Sequence, residues 1–92
     1  MALHVHIERQ VVAWLRERPE LIDSFSDRLS TIRSDELTLM RETQAILFKG
    51  RRYMQRCFIF GGEYLAAFEW NQAERSIRLH ECRRAPTLPR AA

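Results

Sequence analysis

The chain has 92 residues, 46% of them hydrophobic and 29% charged, with a formal net charge of +3. That length and balance fit one domain with a single modest core and exclude a disordered tail. No apolar run approaches the roughly 20 residues of a membrane span, so no membrane partner is expected.

Ala2–Ile7 alternates apolar residues with histidine, which predicts a strand carrying Leu3, Val5 and Ile7 on one side. The alternative is that it runs directly into the helix that follows. His4 and His6 would share the other side, but nothing else in the chain supplies further ligands at metal-binding spacing. Neither a metal site nor a cofactor is expected. Apolar and charged residues mix from His4 onward, unlike a signal peptide, so the expected location is the cytoplasm. In that compartment Cys57 and Cys82 are free thiols.

Ile7, Val11, Val12 and Leu15 recur about once per turn and predict a helix over Glu8–Glu17, with Trp14 capping its layer. Pro19 suits a first helical turn, and Glu20 and Asp23 follow near the positive end of the dipole. Leu21, Ile22, Phe25, Leu29 and Ile32 then mark a second helix, Pro19–Ile32. Ser34-Asp35-Glu36 reads as a third start with Ser34 as N-cap, and Leu37, Met40 and Leu47 can share its apolar face. Ala45–Phe48 either ends that helix or forms a short strand before Lys49-Gly50.

Arg51–Arg84 reads as a three-stranded antiparallel meander. Gly61-Gly62 supplies one hairpin turn and Asn71-Gln72-Ala73-Glu74 the other. A two-residue loop at the glycines pairs Arg56 with Ala67 and Phe58 with Leu65; a slip by one residue would reverse every face. In that register Tyr53, Gln55, Cys57 and Ile59 join Tyr64, Ala66, Phe68 and Trp70 on the oily face. A four-residue second loop adds Ile77 and Leu79 to the same face. The other face then carries Arg56, Ala67 and Arg78 in one row and Phe58, Leu65 and His80 in the next. Glu69 and Glu81 fall on opposite faces, and Cys82 falls on the basic one.

Arginine supplies all the positive charge except Lys49, and it favours planar, bidentate contacts with phosphate or carboxylate. Lys49, Arg51, Arg52 and Arg56 cluster without an intervening acid, a local field suited to an anionic partner. Two chemistries fit the face. His80 as acid or base, with Arg56 and Arg78 stabilising a pentacoordinate phosphate, describes an endoribonuclease. Lys49, Arg51, Arg52, Arg56, Arg78 and Arg83 as contacts to a nucleic acid or target, with Phe58, Phe60 and Leu65 as an apolar strip for a protein partner, describes a binding module. The sequence leaves catalysis open and leans toward binding.

Three local patterns add a resemblance. Tyr53-Met54-Gln55-Arg56-Cys57 precedes the turn, Tyr64-Leu65-Ala66-Ala67-Phe68 follows it, and Ile77-Arg78-Leu79-His80-Glu81 stands near the end. Together with the order of strand, helical pair and C-terminal meander, these resemble the RelE/ParE superfamily of bacterial type II toxin–antitoxin toxins. The resemblance covers about residues 50–84, and the helical half by layout alone. It implies a toxin neutralised by an antitoxin segment, cleaving ribosome-bound mRNA if RelE-like or poisoning DNA gyrase if ParE-like. The strand at Tyr64-Leu65-Ala66-Ala67 lacks the arginine that nuclease members tend to carry, which shifts the resemblance toward ParE.

The expected fold is therefore α+β, with two to three N-terminal helices packed on one face of a C-terminal three- to four-stranded antiparallel sheet. A single domain is expected over residues 1–84 and a flexible tail over 85–92. The expected function is a toxin-like component acting through a basic sheet surface on gyrase or on the ribosome and its mRNA. The alternative is a small non-enzymatic inhibitor or adaptor, of phage or plasmid type, using the same face. An antitoxin or other protein is the expected partner, and a homodimer is compatible with either reading.

Overall fold

A computed structural model of the chain describes residues 2–47 and 54–85. The protein is α+β, the described residues forming three α-helices and a five-stranded mixed sheet. Strand β1 (His4–Ile7) leads into α1 (Arg9–Arg16), a 3₁₀ turn (Pro19–Leu21), α2 (Ile22–Ile32) and α3 (Glu36–Glu42). Four strands follow: β2 (Gln44–Leu47), β3 (Met54–Phe60), β4 (Tyr64–Asn71) and β5 (Ser76–Arg84). In space the order is β1-β5-β4-β3-β2. The first strand lies parallel to the last, and the other neighbours are antiparallel. The expected meander is thus the centre of a larger sheet, extended by the N-terminal strand at one edge and by Gln44–Leu47 at the other.

The helices form where the apolar spacing placed them. Val11 and Leu15 of α1, and Phe25 and Ile32 of α2, are buried against the sheet. Pro19 opens a 3₁₀ turn rather than the α-helix itself, ahead of Ile22. The third start is capped one residue later than expected. Asp35 Oδ1 accepts from the Thr38 N–H at 2.7 Å, whereas the Ser34 hydroxyl turns back to donate to the Thr31 carbonyl. Leu39 enters the core, while Leu37 and Met40, expected to share a face, do so toward solvent, 74% and 47% exposed.

The hairpin between β3 and β4 corrects the register. Its loop is Gly61-Gly62-Glu63, three residues long, with both glycines at positive φ. Arg56 consequently pairs with Phe68, Phe58 with Ala66 and Phe60 with Tyr64. This is the one-residue slip that reverses every side chain of one strand. The oily face of β4 and β5 is as expected, with Ala66, Phe68, Ile77 and Leu79 in the core, but β3 is turned over. Phe58 and Phe60, expected on the outside, are 1% and 2% exposed. Their rings meet Phe25 at centroid distances of 5.8 and 5.4 Å. Trp14 closes this aromatic layer edge-on to Phe60 and Tyr64, with the Arg18 guanidinium over its ring.

A second irregularity lies in β5. Leu79 pairs with Phe68 and Glu81 with Ala67, which leaves His80 as an extra residue, a β-bulge. The bulge restarts the alternation, so Cys82 comes to lie opposite Ala66 in the helix-side core. The chain running from β1 into α1 lies beside it. The Glu8 N–H donates to the Leu79 carbonyl at 3.0 Å, and Gln10 Nε2 donates to the His80 carbonyl at 2.9 Å. The first bond continues the β1–β5 pairing, and the second satisfies a carbonyl at the point where the β4–β5 ladder breaks.

Candidate functional site

The three helices cover one face of the sheet; the expected site lies on the other. At its centre Cys57, Leu65 and Ala67 are buried as a small second cluster, with Ile59 and Ala85 packed against them. Leu65, expected to be an exposed partner contact, is 4% exposed. At the rim stand His4, His6, Arg78 and Arg83, all exposed.

Arg56 is not on this face. The three-residue loop turns it to the helix side, where it is tied to the end of α3 and the residue that follows. Its Nε donates to Thr43 Oγ1 at 2.8 Å, and its Nη2 to the Thr43 and Met40 carbonyls at 3.0 and 3.3 Å. The guanidinium fork thus satisfies the C-terminal carbonyls of a helix, a structural task that suits a planar, permanently charged donor. The proposed row of Arg56, Ala67 and Arg78 is therefore broken at its first member.

His80 does lie on the expected face, but it is buried, 7% exposed. Its Nε2 is paired with Gln55 Oε1 on β3, the side chain reaching over the small Ala67 of the intervening strand. Where a row of Arg56, Ala67 and Arg78 was expected, a buried imidazole–amide bridge crosses the face. Gln55 is itself 1% exposed, and its Nε2 has no hydrogen-bond partner among the described residues.

Arg78 is on the expected face, but it stands opposite Glu69 rather than in a row with Ala67, whose β5 neighbour is Glu81. It lines a polar hollow of about 310 Å³ with Glu69, Asn71, Glu74 and Ser76, at the β4–β5 turn. Arg83 sits opposite Leu65 near the far end of the same strand. The bulge also brings Glu81 to this face, opposite Ala67, so that Glu69 and Glu81 share a side instead of opposing one another. Two arginines and two glutamates then alternate over the described part of the face, which is polar and balanced rather than basic. Lys49, Arg51 and Arg52, the other expected contacts, lie outside the described residues, as do Tyr53 and the expected tail beyond Ala85.

The two thiols have exchanged faces relative to expectation and remain apart. Cys57 lies in the small cluster, where burial raises its pKa against the opposing pull of Arg56 and Arg83. Cys82 lies in the main core, where burial, helped by the Glu81 carboxylate, pushes it up to about 12. An arginine-activated thiolate at Cys82 is therefore not formed; the thiol is a small apolar core group.

A second surface feature was missed in the sequence. Leu37 and Met40 of α3, with Glu36, form an open groove of about 520 Å³ against Trp70 and Gln72. The Trp70 indole N–H, buried beside it, has no acceptor among the described residues. The apolar spacing of Leu37 and Met40 was visible, but it is equally the signature of a core face, and only the packing of α3 through Leu39 decides between the two.

No protein-family model, curated protein or solved structure matches this chain.

Proposed function

We propose that this chain is the toxin-like component of a bacterial type II toxin–antitoxin pair, acting in the cytoplasm by binding rather than by cleavage. The observation that carries the reading is architectural. A first strand, a run of helices and a meander, whose last strand receives the first, put the three described helices on one face of the sheet. Layout is what extends the RelE/ParE resemblance over the helical half, beside the local patterns within residues 50–84. The helix-free face, with Arg78 and Arg83 exposed at its rim, is the working surface, and gyrase or the ribosome is the target class.

Binding is favoured over cleavage by the state of the expected catalytic group. The His80 imidazole is buried and engaged by Gln55, and Arg56 is committed to α3, so the two do not converge on a shared phosphate position. Induced expression in a bacterial host should arrest growth without mRNA cleavage, and Arg78→Glu/Arg83→Glu should relieve the arrest while melting like the wild type. A well-folded wild-type protein with no effect on growth, or arrest untouched by the double charge reversal, counts against the reading.

A non-enzymatic inhibitor or adaptor is the second reading. It draws on the groove of Leu37, Met40 and Trp70, where a 74% exposed leucine beside an aromatic ring suits an apolar protein contact. Leu37→Asp would then abolish activity that Arg78→Glu/Arg83→Glu leaves intact.

A further inference from the structure

At four residues the outer edge of β1 is short, but among the described residues it lacks the other devices that usually blunt an edge strand. It holds no proline or lysine and no bulge, and all of its residues except Val5 are exposed. Its main-chain groups alternate. The His4 N–H donates inward to the Arg75 carbonyl and the Glu8 N–H inward to the Leu79 carbonyl, so the even-numbered residues face β5. Val5 and Ile7 accordingly present N–H and C=O groups to the open edge. The edge is closed at its start, because the Leu3 N–H is taken by the Arg33 carbonyl at the end of α2.

We propose that this edge pairs antiparallel with the same edge of a second copy of the chain, about a two-fold axis through His6. In that register Val5 faces Ile7 of the partner copy in a hydrogen-bonded pair, reciprocally, and His6 faces its own counterpart. His4 faces Glu8 of the other copy, again twice over. Three features of the chain select this register. Only pairing between Val5 and Ile7 uses all the outward main-chain groups of both copies. Apolar Val5 meets apolar Ile7 on the helix side, where Ile7 is 38% exposed in the single chain. On the other side, imidazole donors meet carboxylate acceptors.

The geometry of the ends agrees. The extended backbone finishes at Glu8, whose φ and ψ of −71° and 156° are still those of a strand, and α1 begins at Arg9. The partner strand therefore turns away into its own helix after passing His4, one residue before it would meet Arg33. The register shifted by two residues, with Val5 opposite Val5, places Ile7 against the blocked Leu3 and sets His4 opposite His6. It loses both the hydrogen bonds and the complementary pairs. The closed product is a ten-stranded sheet with all helices on one side, a symmetric arrangement that leaves no β1 edge available for further growth.

The test is the mass of the purified full chain in solution by light scattering and sedimentation, from low micromolar to near-millimolar concentration. A concentration-dependent dimer is expected, with the Val5 and Ile7 amides exchanging more slowly as it forms. Ile7→Lys should be monomeric with an undiminished melting temperature. His4→Glu, which sets glutamates opposite one another, should weaken the dimer, and adding Glu8→Lys to it should restore association. A wild-type monomer throughout the range overturns the proposal. So does a dimer that survives Ile7→Lys, or one that is indifferent to His4→Glu. The inference stands apart from the toxin-like reading: a monomer that arrests growth removes the pairing alone, and an inert dimer removes the toxin alone.

Discussion

Replacing Phe58 with alanine separates the two registers of the β3–β4 hairpin. With a two-residue loop Phe58 would stand on the outer face, and its loss would reduce partner capture with little effect on stability. With the observed three-residue loop it is 1% exposed, and its ring lies 5.8, 6.0 and 6.3 Å from those of Phe25, Phe60 and Phe68. Truncation then forfeits the transfer free energy of the ring and leaves a cavity among aromatic neighbours that cannot collapse into it, about 3–5 kcal/mol. A chain of this size is held by only about 5–14 kcal/mol in total. The melting temperature should fall by at least about 12 °C, given about 4–8 °C per kcal/mol for a domain of this length. Thermal and urea unfolding followed by circular dichroism measure both quantities. Leu37→Ala serves as the control, because at 74% exposure it should change stability by less than about 0.5 kcal/mol. A Phe58→Ala protein melting within a few degrees of the wild type would return Phe58 to the outer face and refute the register.

Two further outcomes follow from side chains whose surroundings differ from expectation. Arg56→Met removes three donors from Thr43 and the Met40 carbonyl and should cost about 1–3 kcal/mol, with faster amide exchange confined to α3. Arg56→Lys should rescue little of this, because a point charge cannot reproduce the fork; full stability in Arg56→Met would show the contacts to be incidental. For Cys82, burial raises the folded-state pKa from 9.0 to about 12, so above pH 9 the unfolded chain sheds this proton and the folded one retains it. Fewer protons on the unfolded state mean that stability declines as pH rises through that window, by up to about 1.4 kcal/mol per pH unit. Urea midpoints between about pH 8 and 10.5 should fall more steeply for the wild type than for Cys82→Val. Parallel curves would mean that the thiol ionises in the folded protein.

The identity of the elements was legible because each is written in short-range pattern. The alternation over Leu3, Val5 and Ile7, the one-turn spacing of Val11 and Leu15, and the three-and-four spacing through Phe25 and Ile32 each announce an apolar face without reference to the rest of the chain. The oily side of β4 and β5 could be read in the same way from Ala66, Phe68, Ile77 and Leu79. The candidate site was less legible, because it depends on which faces of three strands coincide. Both glycines of the turn were visible, but not that Glu63 would join them; the third loop residue turned Arg56 inward and Phe58 and Phe60 into the core. Nor does any residue near His80 announce a bulge. It forms where Gln10 of α1 can satisfy the His80 carbonyl, a partnership across 70 positions of sequence.

The linear order of residues therefore determined the fold class, the helices and the chemistry on offer: arginines in place of lysines, two isolated thiols, a histidine on the last strand. Tertiary structure alone decided which of these groups meet. Strand faces alternate with a period of two residues, so one residue gained in a loop or a bulge moves a side chain from water to core. The free energy that settles such a choice comes from packing between elements distant in sequence.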